Sequence, residues 1–203
     1  MSPLHDASLS GDTELVKQLL DDGAPVDEKD RHGKTALMLA SYEGLAEVVR
    51  LLLDKGASLD EKTAKGGRTA LIWASVYGHT EVVKLLLDTL VKRLLEKGAS
   101  FSSIGASVDE KDQGGDTALR LASYEGHAEV VKLLLDRGAS IDQRDGDGHT
   151  ALMLASWKGH AEVATLLLDR GASADEKDKG DRIALLLASK GASVEGDRGG
   201  DAE

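Results

Sequence analysis

The 203-residue chain carries 36 acidic against 25 basic residues, a formal net charge of -11, and this balance argues against tight binding to nucleic acid, whose affinity comes largely from Lys and Arg neutralising phosphates. It has neither Cys nor Asn, which removes disulfides, thiolate metal sites, Cys nucleophiles and N-glycosylation acceptors together. With 41% hydrophobic but only 3% aromatic residues, the core must be aliphatic and small-residue.

The first residues, MSPLHDASLSGD, lack the basic and then apolar pattern of a signal peptide, and the longest apolar runs are about one helical turn. A protein of the cytoplasm is expected, with the nucleus also open and no membrane partner. The unit that organises the chain is TALRLASYEGHAEVVKLLLDRG at 117–138, which recurs as TALMLASWKGHAEVATLLLDRG at 150–171. Anchored on the opening threonine, the units start at Thr35, Thr69, Thr117 and Thr150, with Ile183 in the equivalent place, in steps of 34, 48, 33 and 33. Counting back from Thr35 puts a first unit at Ser2. A period of this length marks a stacked-repeat architecture. One array over 1–194 is expected, with units near 2–34, 35–68, 69–116, 117–149 and 150–182, a truncated cap at 183–194 and a disordered tail at 195–203.

Within a unit, the spacing predicts one helix over Thr35–Glu43, closed by Gly44, and a second over Ala46–Lys55, closed by Gly56, since Gly supplies the left-handed residue that ends a helix. Leu37, Ala40 and Ser41 share one face of the first, and Val48, Leu51 and Leu52 one face of the second. Glu47, Glu81, Glu129 and Glu162 open the second helices, with Arg50, Lys84 and Lys132 three residues on, as the helix dipole favours. Helices this short are marginal alone, so stacking must stabilise them. Turns such as Asp30-Arg31-His32-Gly33 separate the units.

The period, the glycines, the Asp-x-x-Gly turns and Ser2-Pro3-Leu4-His5-Asp6-Ala7, close to T-P-L-H-x-A, make the chain resemble the ankyrin repeat family. The resemblance implies an all-α repeat solenoid of stacked helix-turn-helix units with projecting β-hairpin loops, and a non-catalytic scaffold that binds a protein or peptide. Ala36, Ala70, Ala118 and Ala151 stand where that family has Pro, and Met38, Ile72, Arg120 and Met153 where it has His. Glu28, Glu61, Glu110, Gln143 and Glu176 stand for its hairpin Asn. These changes are expected to remove hydrogen bonds between repeats.

The 48-residue step holds 15 surplus residues, placed at 89–103. The apolar spacing of Leu86, Leu87, Leu90, Val91, Leu94 and Leu95 continues the second helix of the third unit to about Lys97, adding roughly 14 Å that should protrude from the stack. Either Phe101 and Ile104 fold back over the extension, or Leu90, Val91, Leu94, Leu95 and Phe101 form a self-association ridge. A monomer is expected rather than a homo-oligomer. At the far end Leu185, Leu186 and Leu187 follow the first-helix pattern without a second helix behind them.

No cofactor, metal or catalytic constellation is expected. His79, His127 and His160 occupy equivalent places in successive units, too far apart to share one ion given helix spacings of 8 to 10 Å. Four of the six aromatics, Tyr42, Tyr77, Tyr124 and Trp157, fall at the ends of first helices. With their neighbours Glu43, Val76, Glu125 and Lys158, the resemblance puts them on a concave groove with the turn tips. There they serve either as partner anchors or as packing between first helices. Trp73 aligns with Leu39, Leu121 and Leu154 and reads as core. Among the tips, Arg31, His32, Lys34, Lys65 and Arg68 are basic, whereas Gln113, Asp116, Asp147 and the neighbouring His149 are not, which suggests an acidic partner segment at the amino-terminal half. Two other readings stay open: a self-associating assembly element, or an engineered repeat scaffold with no native partner.

Overall fold

A computed structural model describes residues 2–174, apart from the side chains at 101 and 102. The expected cap at 183–194 and the tail at 195–203 lie outside the described residues. Eleven helices form within them: α1 (Pro3–Ser10), α2 (Thr13–Asp21), α3 (Ala36–Glu43), α4 (Ala46–Asp54), α5 (Ala70–Val76), α6 (Thr80–Glu96), α7 (Phe101–Val108), α8 (Ala118–Glu125), α9 (Ala128–Asp136), α10 (Ala151–Lys158) and α11 (Ala161–Asp169). First helices stack in one row, α1, α3, α5, α8, α10, and second helices in another, α2, α4, α6, α9, α11.

Each first helix begins the same way for a chemical reason. Thr35, Thr69, Thr117 and Thr150 are N-caps, and their hydroxyls accept from the backbone N–H three residues on. All four threonines are buried. Between the two rows lies a continuous aliphatic core, including Leu37, Leu52, Ile72, Leu87, Leu119, Leu134, Leu152 and Leu167, each at most 2% exposed. At 8 to 9 residues most helices are too short to persist alone. Burial against both neighbours supplies what nucleation lacks.

Along the second-helix row, a basic residue just after a helix pairs with an Asp of the preceding helix in three places. Lys55 reaches Asp21 at 2.5 Å, Arg170 reaches Asp136 at 2.8 Å, and Arg137 pairs with Asp88. Such exposed pairs contribute modestly. Deeper staples run between units: the Asp27 and Asp142 carboxylates accept from the backbone N–H of Ser58 and Ser173 at 2.8 and 3.0 Å.

No β-strand forms among the described residues, and the projecting loops are tight turns closed by backbone bonds such as Asp30 N–H to the Lys34 carbonyl at 2.9 Å. The Asp30 carboxylate takes the N–H groups of His32 and Lys34 at 2.8 and 2.9 Å and fixes the tip. Neighbouring tips touch through Ala64 N–H to the His32 carbonyl at 3.0 Å and Gln113 N–H to the Gly66 carbonyl at 2.8 Å.

The extension of α6 does not stand free of the stack. Its Arg93 donates to the carbonyls of Ala57 at 2.7 Å and Leu53 at 2.9 Å, at and just past the end of α4. Leu90 is buried, Val91 and Leu94 pack against the core, and α7 folds back with Ile104 and Val108 buried. A Cβ at Gly105 would lie 2.7 Å from the Gly138 carbonyl oxygen, so only glycine lets α7 approach the end of α9 this closely. The surplus segment thus spans from the second unit to the fourth. Leu95 stays open, at 57% exposure.

Candidate functional site

The first helices end in a left-handed residue or tight turn, and the next unit holds that end in place. Nε2 of His79 donates to the Tyr42 carbonyl, Nε2 of His127 to that of Val76, and Nε2 of His160 to that of Tyr124, each at 2.9 Å. A carbonyl only accepts, so these Nε2 atoms carry the proton. A Cβ on Gly44, Gly78 or Gly126 would lie 2.5 to 2.6 Å from the same histidine's Nδ1, which explains why glycine sits there beyond its positive φ. The repeated histidines are therefore structural clasps. Among the described residues no group of three His, Asp or Glu is placed to hold a metal ion.

What these clasps position is the aromatic series. Tyr42, Trp73 and Tyr77 form one cluster: Tyr42 meets Trp73 edge-on at 5.4 Å and Tyr77 at 4.6 Å, and Trp73 stacks with Tyr77 at 6.2 Å. The Tyr77 hydroxyl is pushed above the ordinary tyrosine pKa by its hydrogen bond with Tyr42, with burial and the Tyr42 and Glu125 charges adding to that. Trp73 is half-buried and packs against the core, as Leu121 does at the equivalent position, with its Nε1 buried and its ring facing the tips. There Lys34 Nζ lies 5.4 Å and Arg68 Cζ 4.9 Å from its ring centroid.

A second aromatic station lies in the fourth and fifth units. Lys158 Nζ sits 4.1 Å from the Tyr124 ring centroid and 6.0 Å from that of Trp157. Trp157 is 58% exposed and Tyr77 45%. Glu43, Glu125 and Lys158 are exposed beside them, and Val76 is half-buried. At the tips, Arg31, His32 and Lys65 are exposed, with Arg31 Nε donating to His32 Nε2 at 3.0 Å. Gln113 is exposed too, and its side-chain oxygen accepts from Gly66 N–H at 3.0 Å.

The middle tips are locked by a group that sequence reasoning undervalued. Arg120, expected to cost the loops a hydrogen bond, makes several and is 1% exposed. Its guanidinium pairs with Asp116 on the preceding tip and with Asp145 at 2.6 Å on the following one, and donates to the His149 carbonyl at 3.1 Å. His5 does a smaller version of this in the first unit, with Nε2 3.0 Å from the Glu28 carbonyl and 3.1 Å from that of Lys34. The sequence signal was Asp116 four residues before a lone Arg at an otherwise apolar position.

One guanidinium shared by two carboxylates leaves them unequal. Burial raises the Asp116 pKa, with the neighbouring Asp112 and Asp145 charges adding to it, against the lowering pull of the Arg120 charge and hydrogen bond. Burial also acts on Asp145, but the N–H groups of His149 and Asp147, the His149 ring and Arg120 together hold it down at about 2. Asp116, Asp145 and the His149 ring, 3.0 Å from Asp145, are thus engaged within the molecule.

A family model described as ankyrin repeats in three copies matches residues 4–92 and 88–178. No curated protein matches the chain. Among the described residues no helix is long and apolar enough to cross a membrane. Ankyrin repeats are generally protein–protein interaction modules. With the paired-helix stack, the glycine-ended first helices and a family match over most of its length, the chain belongs to the ankyrin repeat family.

Proposed function

We propose that the chain is a non-catalytic scaffold that binds a protein or peptide along the turn tips and the ends of its first helices, on the concave side of the stack. The observation that carries this reading is the exposure of large aromatics where the fold has no need to expose them. Trp157 and Tyr77 stay open although the chain has only six aromatics and a core that could use them. Tyr and Trp anchor partners well because they bury large areas at small rotamer cost.

A displayed random peptide library selected on the intact chain tests it. Binders should lose about tenfold or more in affinity when Tyr77, Tyr124 or Trp157 becomes Ala. Binders indifferent to all three changes would refute the reading. The exposed Leu95 on α6 favours a second reading, self-association through the segment containing Leu90, Val91, Leu94, Leu95 and Phe101. Light scattering across concentration on the chain and on Leu95→Ser decides it: a dimer lost in the variant supports assembly, and a monomer in both removes it.

A further inference from the structure

The junction of the second and third units has a charge arrangement that specifies its partner. Lys34 Nζ rests 5.6 Å from the Tyr42 ring centroid and 5.4 Å from that of Trp73, and among the described residues no carboxylate forms an ion pair with it. Arg68 is differently placed: its guanidinium also faces Trp73, but its Nε lies 3.5 Å from Asp112, whose side chain is 6% exposed. Arg68 is thus committed within the fold, and Lys34 is not. Arg31 and Lys65, exposed on the adjoining tips, likewise have no ion pair among the described residues.

Ring faces attract a cation without cancelling its charge. They also hold it in one place and keep water from one side, so an incoming anion meets a positioned group at reduced entropic cost. Acids bound the site on its other side. Glu43 and Glu125 are exposed at the ends of α3 and α8, and the Glu125 charge is felt at the Tyr77 hydroxyl. Negative partner groups are therefore directed to the tips, and the open Tyr77 ring is left for an apolar group. The chain's net charge of -11 disfavours a long polyanion, whereas a short acidic segment feels mainly charges within a Debye length of about 8 Å.

We propose that this junction receives an acidic peptide segment of a partner protein, one carboxylate meeting the Lys34 ammonium between the Arg31 and Lys65 tips and an apolar side chain lying on Tyr77. This rests on the reading of the first-helix ends as a partner face. The Lys34 backbone holds the turn, while its side chain makes no hydrogen bond among the described residues, so substitution there leaves the turn intact.

The test selects a displayed random dodecapeptide library on the intact chain and on Lys34→Glu/Lys65→Glu, then measures synthetic versions of the enriched peptides by fluorescence polarisation. Enrichment of Asp and Glu on the parent chain alone is expected, with affinity falling about tenfold in Lys34→Gln and further in the reversed variant. Affinity should also fall with added salt, and Glu129→Gln, exposed on the second-helix row, should not weaken binding. Circular dichroism of each variant should match the parent. Peptides without acidic enrichment, or no binders at all, overturn the proposal. Neutral binders that still depend on Tyr124 and Trp157 would overturn it while leaving the partner face standing, and binders indifferent to those residues as well would remove both.

Discussion

Replacing Arg120 with Met isolates what a buried cation contributes to this stack. Met38 and Met153 occupy the equivalent position in the second and fifth units at 1% exposure each, so the fold accepts the side chain's shape. What disappears is the guanidinium and its bonds to Asp116, Asp145, His149 and Gly115. A hydrogen bond to a charged group is worth about 1.5 to 3 kcal/mol, and removing one partner of a buried pair costs about 3 to 5 kcal/mol. The Asp116 and Asp145 side chains are 29% and 15% exposed, which lets water recover part of that. A loss of about 3 kcal/mol near neutral pH is expected. It should shrink near pH 4, as carboxylates deprived of their cation take up protons and no longer need it.

Urea unfolding followed by far-UV circular dichroism at both pH values measures this. Because each unit touches only its neighbours, the damage should concentrate at the junction of the fourth and fifth units. Amide exchange in α10 and α11 should accelerate ahead of α3 and α4. A loss under about 1 kcal/mol, or one equal at both pH values, would show that the network is incidental to the stack.

Gly126→Ala combines strain at φ +85 with a Cβ 2.6 Å from His160 Nδ1, and should cost about 2 to 3 kcal/mol by thermal unfolding. Gly159→Ala, at φ +78 with nothing among the described residues within 4 Å, should cost only about 1 kcal/mol, and equal costs would mean the His160 clasp gives way freely. Leu134→Ala, in a residue with no exposure, should cost about 2 to 5 kcal/mol in urea. Trp157→Ala should cost under about 1 kcal/mol, and comparable losses would make that aromatic part of the packing. Asp145, held at about 2 in the fold, lies below its unfolded value, so its contribution is present above that value and is lost as pH falls towards 2. Acid titration of Asp145→Asn should lose that slope, whereas an unchanged slope would place the linkage elsewhere. Asp116, held above its ordinary value, works in the opposite sense.

Why so much of this fold is legible in one dimension follows from its contacts. Each Thr that opens a unit caps its own helix, each Gly ends it, and Leu37, Leu52 and Leu134 face a core built from copies of the same pattern. Such interactions lie within a unit or one unit away, so local spacing carries them. The candidate site was legible in outline for the same reason: Tyr42, Tyr77, Tyr124 and Trp157 recur at one place in the unit, and that place sits at the first-helix end. Trp73 was legible only in part, because alignment with leucine gives its contact with the core but not the two cations that its ring meets from the tips. The brace formed by α6 and α7 was misjudged because the surplus segment has no counterpart in the other units, so no repeated pattern records that Arg93 meets Ala57 or that Gly105 meets Gly138.

Period, capping residues and apolar spacing thus determined by themselves that this chain is a stack of paired helices, since each is a property of a single unit. Only the tertiary structure decided which charges are spent and which are available. Arg120 and Arg68 are consumed by carboxylates on neighbouring tips, while Lys34 rests on two rings with no carboxylate of its own among the described residues. That distinction depends on distances between side chains from different units, which the stacking sets and residue order does not record.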